Sequence, residues 1–162
     1  MILETKRLYL RRFTMDDARR LSEYRDKKEV AEFQSWKRYH LFDAKRRIYY
    51  CLKNPHFSIN KSNQFAVVLK SNHYIIGDIF VEINGEHSFI LGYTLDSVYW
   101  NQGYGSEIVE GFLKYMKELG YKKVLAYVYK DNYRSIHLLE KLGFKSFNES
   151  IFYSDIGFIK KL

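Results

Sequence analysis

The chain has 162 residues, 46% of them apolar, and only one Pro, which excludes a disordered or Pro-rich low-complexity protein and suits one globular domain over residues 1–162. Its single cysteine excludes an internal disulfide framework and a cysteine zinc cluster, and five scattered histidines show no metal-ligand spacing. A net charge of +8 would draw anions, but the basic residues are dispersed, no apolar run approaches the roughly 18 residues of a membrane span, and the start is too short and charged for a signal peptide. Cys51 sits in the apolar run Ile48-Tyr49-Tyr50-Cys51-Leu52 and reads as a packed thiol in a reducing, cytoplasmic compartment.

In chain order, residues 7–13 alternate Leu8 and Leu10 against charged neighbours, a half-buried strand. Thr14 with Asp17 forms a capping-box-like start for a helix to about Tyr24 or Arg25. A short helical piece follows over 28–33. Asp43 is expected to cap a helix through Leu52, which Asn54-Pro55 stops. Residues 65–69 and 74–83 read as strands, with Ile75, Gly77, Ile79, Val81 and Ile83 on one face of the second. Asn84-Gly85 is a hairpin signal leading into a strand over 89–95. A helix over about 105–119 ends at Gly120. Residues 123–129 are apolar on both faces, including Tyr127 and Tyr129, as expected for a strand buried in mid-sheet and parallel to the one ending at Leu95. Asp131-Asn132 can cap a helix packed through Ile136, Leu139 and Leu142, and strands over 144–148 and 151–160 close a hairpin. The expected fold class is α/β (α+β): a mixed, mostly antiparallel central sheet with helices on both faces.

The stretch from Tyr99 to Glu107 joins a strand to a helix through Gly103 and Gly105. Unpaired N–H groups at a helix start, with the positive end of its dipole, form an anion cradle that a phosphate can approach where no side chain blocks it. The alternative is a plain tight turn. Asn132 and Ser135 open the next helix beside it, at the C-terminal ends of two neighbouring parallel strands, where open sheets hold ligands. No Gly-Lys-Ser/Thr follows the glycines, and Ile108 stands where a third dinucleotide-fingerprint glycine would be, so nucleotide-triphosphate and redox dinucleotide sites are set aside.

TKRLYLRRFTMDDA, IIGDI, LGYTLDSVYWNQGYGSE and DNYRSIHLLEKLGF, in this order over about residues 3–144, resemble a GNAT-superfamily N-acetyltransferase, of the branch that includes the ribosomal-protein N-terminal acetyltransferases. The resemblance implies a sheet splayed between two parallel strands, with acetyl-coenzyme A (acetyl-CoA) held there as cosubstrate and no metal. It places the phosphate turn on Trp100, Asn101, Gln102, Gly103, Tyr104, Gly105 and Ser106, with Trp100 where the family has Arg or Gln. It also implies that Tyr93, Thr94 and Leu95 pair with the pantetheine arm and that Leu95 and its neighbours polarise the thioester carbonyl through their amides. Asn132 would hydrogen-bond the cosubstrate, and Ser135 would sit near its sulfur as proton donor, its alternative role being to cap its own helix. Leu139 stands where many members have the donor Tyr, and Ile90 where relatives have a Glu base.

The resulting expectation is acetyl transfer from acetyl-CoA to a primary amine, a small molecule or a protein N-terminus, by a monomer or homodimer. The general base is open among Glu82, Glu86, His87 and release of the proton through water. Residues 14–57 are expected on the acceptor side, where Glu23, Glu29, Glu32 and Asp43 could attract a cation. The rival reading is a basic RNA- or ribosome-binding module on a catalytically degenerate acetyltransferase fold. Against nucleic acid, the aromatics of runs such as 123–129 read as core.

Overall fold

Leu8 and Leu10 are fully buried while their neighbours are not, the period-two pattern of a strand with one face on a core. The computed structural model describes residues 1–149 and 155–162. Among them the chain runs β1 (Leu3–Glu4), β2 (Leu8–Arg12), α1 (Ala18–Arg25), α2 (Lys28–Ala31), α3 (Leu41–Lys53), β3 (Ser62–Leu69), β4 (Ile75–Gly85), β5 (Ser88–Leu95), α4 (Tyr104–Glu118), β6 (Lys123–Tyr129), α5 (Tyr133–Lys141), β7 (Lys145–Glu149) and β8 (Asp155–Lys161). The strands form one sheet in the order β1-β2-β3-β4-β5-β6-β8-β7, antiparallel throughout except for the parallel pair β5–β6. One face packs on α4 and α5 through Ile108, Val109, Phe112, Met116 and Leu139, the other on α1 and α3 through Leu21, Tyr24, Ala44 and Ile48. The mixed, mostly antiparallel sheet with helices on both faces is as expected, and Cys51 is a buried free thiol whose pKa burial pushes up. No helix among the described residues is long and apolar enough to cross a membrane.

Local details depart from the sequence reading for identifiable reasons. Thr14 and Asp17 do form the capping box, but it opens a 3-10 turn over Met15–Asp17 before α1 begins. The Asp17 carboxylate accepts the Thr14 N–H at 2.7 Å and also pairs with Arg11 at 2.7 Å, so it serves two elements. The α3 cap is His40, not Asp43: Asp43 lies in the first turn and reaches back to the His40 N–H at 2.9 Å. Ile75 does not share a face with Ile79, Val81 and Ile83. The register skips a residue between Val67↔Gly77 and Val68↔Ile75, and this bulge turns Ile75 into the α1–α3 core.

Strand β6 does lie in mid-sheet, but only one of its faces is covered. Val124 and Ala126 are buried under α4, whereas Tyr127 is 50% exposed, because α1 and α3 cover β2–β4 and stop short of β6. Tyr127 meets the ring of Phe147 edge-on at 6.3 Å instead of entering a core. β7 and β8 pair as the expected hairpin; residues 151–154 of the expected last strand lie outside the described residues.

Candidate functional site: a cleft between parallel strands

β5 and β6 pair only from Ser88↔Lys123 to Ile90↔Leu125. Beyond that point β5 continues to Leu95 on β4, and β6 continues to Tyr129 on β8, so their facing edges part. Backbone direction alternates along a strand. The His87 carbonyl accepts from Lys122 and Lys123 on the β6 side, while the Asp96 N–H donates to Ile76 on the β4 side. Tyr93 and Leu95 therefore turn their N–H and C=O groups into the gap, where an extended ligand can pair with them. Thr94 corrects the expectation: its carbonyl faces β4, lying 2.2 Å from where a Cβ on Gly77 would be. The Leu95 carbonyl is also occupied, by the Trp100 indole N–H at 2.9 Å. Trp100 thus ties the turn back to the strand.

Gly103 is the N-cap of α4 with φ of 80°, and its carbonyl accepts the first helical bond from Glu107 at 3.0 Å. The N–H groups of Tyr104, Gly105 and Ser106 are left without helical partners at the mouth of the gap. The two glycines have different reasons. Gly103 provides a left-handed backbone. Gly105 faces packing, since a Cβ there would lie 2.9 Å from the flexible end of Leu138 of α5, so its missing side chain leaves room for that helix. Gln102 does not line the cleft: its side chain donates to the Val98 carbonyl, and its own carbonyl accepts from Arg7 at 3.0 Å.

Glu107 clamps this turn to the other end of the chain, accepting from the Thr5 hydroxyl at 2.6 Å and from the Arg7 N–H and guanidinium at 2.7 Å each. Burial pushes the Glu107 carboxyl up, and these donors outweigh it, holding the carboxyl below its ordinary value. A depressed folded-state pKa adds stability that is full above about pH 4.3 and is lost as pH falls through the folded value. Glu107→Gln is therefore expected to cost about 1 kcal/mol at pH 7, discounted for the exposure of Arg7. In urea titrations the gap between variant and parent should close below about pH 4. A gap independent of pH would contradict the clamp.

The far wall is α5. Asn132 caps it by accepting the Ser135 N–H at 3.2 Å, so capping belongs to Asn132, and the Ser135 hydroxyl makes no hydrogen bond among the described residues. The Tyr93 hydroxyl crosses the cleft and donates to the Ser135 carbonyl at 3.4 Å, and burial pushes the Tyr93 phenol up to about 12. Leu139 is fully buried in the core and offers no donor. The cleft has a volume of about 470 Å³ and gathers Tyr93, Thr94, Leu95, Trp100, Asn101, Gly103, Tyr104, Gly105, Ser106, Asn132 and Ser135. It also brings in residues the sequence reading gave no role, Arg134, His137 and Lys141 from α5 and Phe33 just after α2, together with Glu29 of α2. The Arg134 guanidinium stacks 3.8 Å over the Trp100 ring, a cation beside the free α4 amides. The spacing 134, 137, 141 is that of one helix face and could have flagged these three.

A second cavity of about 660 Å³ opens from Thr94 on the α1–α3 face and shares Gln34, Tyr93 and Thr94 with the first. Two of its lining residues, Arg25 and Gln64, belong to a buried charge network: Asp78 accepts from Arg25 at 2.8 Å, from Gln64 at 2.8 Å and from the Tyr24 hydroxyl. Of the acids named from sequence, Glu29 lines the first cavity and Asp43 the second; Glu23 and Glu32 line neither. Glu82, Glu86 and His87 line neither, and the last two sit at the β4–β5 hairpin, at the opposite end of β5 from Leu95.

A family model described as an acetyltransferase (GNAT) domain matches residues 7–145. The chain is 29% identical over 147 residues to an uncharacterized N-acetyltransferase, YnaD, of Bacillus subtilis, covering 90% of this chain and 83% of the relative. A GNAT-family acetyltransferase structure from Bacillus anthracis superposes with a TM-score of 0.83 at 23% identity, over 98% of this chain and 97% of that one. RimL, a ribosomal L7/L12 alpha-N-protein acetyltransferase solved with coenzyme A, superposes with a TM-score of 0.85 at 13% identity, over 99% and 97%. With the parted parallel strands, the open helix start between them and this match over most of its length, the chain belongs to the GNAT family and is an acetyl-CoA-dependent N-acetyltransferase.

Proposed function

We propose that the protein moves the acetyl group of acetyl-CoA to the amine of a protein N-terminus, in the cytoplasm, with the cosubstrate in the β5–β6 cleft and the amine arriving through the α1–α3 cavity. The observation that carries this reading is the β5 edge left open at Tyr93 and at the Leu95 N–H, in one cleft with the free amides of Tyr104, Gly105 and Ser106. The edge suits the amide-bearing pantetheine arm and the amides suit phosphates, with Arg134 and Lys141 adding positive charge. An N-terminal acceptor is supported by the resemblance of the motifs and by the acceptor named for RimL. The buried thiol of Cys51 fits a reducing compartment.

In this reading the amine nitrogen attacks the acetyl carbon, the Leu95 N–H meets the oxyanion, and the C–S bond breaks. The Ser135 hydroxyl gives its proton to the departing thiolate and regains one from water, to which the amine releases its own; Glu82, Glu86 and His87 do not reach the cleft. Tyr93, held neutral by burial, positions Ser135 from across the gap. Ser135→Ala is expected to lower kcat by about a hundredfold with little change in KM for acetyl-CoA. Tyr93→Phe, which removes only the bridging hydroxyl, should cost less than about tenfold in kcat. Equal losses in both variants would reassign the donor to Tyr93.

Calorimetry with acetyl-CoA, its dephosphorylated form and pantetheine tests the cosubstrate site. Saturable binding that weakens as phosphates are removed is expected, and its absence would overturn the reading. Mass spectrometry of a lysate treated with enzyme and labelled acetyl-CoA should find label on protein α-amines.

A further inference from the structure

Four arginines line the acceptor cavity, and three of them already have carboxylate partners: Arg25 on Asp78 at 2.8 Å, Arg38 on Asp26 at 2.8 Å and Arg46 on Asp43 at 3.3 Å. Arg47 is different. Its Nε donates to Gln64 Oε1 at 2.8 Å and its Nη1 to Ser62 Oγ at 3.0 Å, both neutral acceptors, and its Nη2 is shielded from solvent with no partner among the described residues. Glu82, opposite Ser62 in the sheet register, makes no ion pair with it. The Gln64 amide turns its N–H2 to Asp78, so it stands between Arg47 and the nearest buried carboxylate. A half-buried guanidinium without a counter-charge costs stability unless an anion arrives.

The place where that anion would sit follows from the sheet. The Arg47 guanidinium lies 5.4 Å from the Phe80 ring, and Phe80 is opposite Gly92, whose missing side chain leaves Phe80 as the cavity floor. Thr94, at the junction with the cosubstrate cleft, is two residues further along β5, or about 7 Å. We propose that the acceptor is an amine bearing a carboxylate or phosphate up to about 7 Å from its nitrogen, neutralised by Arg47. The inference rests on the reading of acetyl transfer to an amine and narrows it: the cavity selects against polyamines and for an acid-bearing amine.

The test uses the full chain and matched probes. A tetrapeptide amide beginning with Glu is compared with its Gln twin, and glucosamine 6-phosphate with glucosamine; spermidine serves as the cationic control. Each is titrated calorimetrically into protein saturated with coenzyme A, and each is assayed for turnover with acetyl-CoA. At least one charged probe should bind tenfold or more tightly than its neutral twin, and which one does so distinguishes a peptide from a small phosphorylated amine. In Arg47→Gln the ratio should fall to within twofold, while Arg47→Lys should keep several-fold preference and shows that the fold tolerates change at this position. Ratios within twofold in the parent for both pairs, a ratio that survives Arg47→Gln, or preference for spermidine would overturn the inference and leave Arg47 as a structural arginine. A charged probe that binds tightly yet is never acetylated would instead count against the transfer reading alone.

Discussion

Asp78→Ala is expected to destabilise the protein by about 3–5 kcal/mol, the cost of stranding a buried charge by removing its partner. Asp78 is fully buried and is the only carboxylate in contact with the Arg25 guanidinium among the described residues, while Tyr24 and Gln64 donate to it as well. Burial pushes the Arg25 guanidinium down and Asp78 more than reverses that; with Asp78 gone the guanidinium still keeps its proton, being too basic to lose it in a protein, and is left as a buried unpaired charge. The same arginine packs 4.2 Å over the Trp36 ring, so the damage should reach the acceptor cavity that Trp36 lines. Against a total stability of about 5–15 kcal/mol this loss leaves a marginal fold. Urea unfolding should show a lower midpoint with an unchanged slope. Asp78→Asn, which retains acceptor capacity but not charge, should fall between parent and Ala. A loss under about 1 kcal/mol for Asp78→Ala would mean that water or a shifted side chain replaces the carboxylate.

Gly103→Val should weaken acetyl-CoA binding by about tenfold to a hundredfold, because a β-branched residue at φ of 80° is strained by about 1–3 kcal/mol. A Cβ there would also press on the Arg7 guanidinium at 3.3 Å, and Arg7 holds Glu107 and the Gln102 carbonyl in place. The strain is relieved by rotating the peptide groups at the start of α4, which moves the amides proposed to meet the phosphates. Gly105→Val should act by another route. Its side chain meets Leu138, so it pushes α5 away from α4 and widens the cleft, lowering stability together with affinity. Gly105→Ala, whose single methyl meets only the end of a flexible leucine, should be nearly neutral. Calorimetry and thermal unfolding on the three variants separate these cases, and loss of affinity in Gly105→Ala equal to that in Gly103→Val would restore the simpler idea that both glycines make room for phosphate.

Much of the fold was legible in the chain because local patterns act locally. The alternation of Leu8 and Leu10 and the apolar stripe of α4 set their elements without reference to distant residues, whereas the expected Asn84-Gly85 turn lies in the end of β4, past a register shift, and the chain reverses at Glu86-His87 instead. The place where the sheet splays was legible through motif order and the glycine turn. The errors arose wherever a residue's role depended on what lay across from it. Ile75 changed faces because of a bulge that no period-two count contains, and Tyr127 was left half-exposed because α1 and α3 end before β6. Gly105 answers to Leu138, some thirty positions away in the chain but adjacent in space. The cavity on the α1–α3 face was the least legible. Its acids and arginines are ordinary surface charge when read in order, and only the packing of α1 and α3 on β3 and β4 pairs three of those arginines and leaves Arg47 without a carboxylate. The sequence by itself determined the elements, their order and the glycine-capped start of α4, because propensity, capping and turn chemistry are short-range. Only the tertiary structure decided which backbone edges stay open and which charge goes unmatched, because both depend on which neighbours are near enough to compensate.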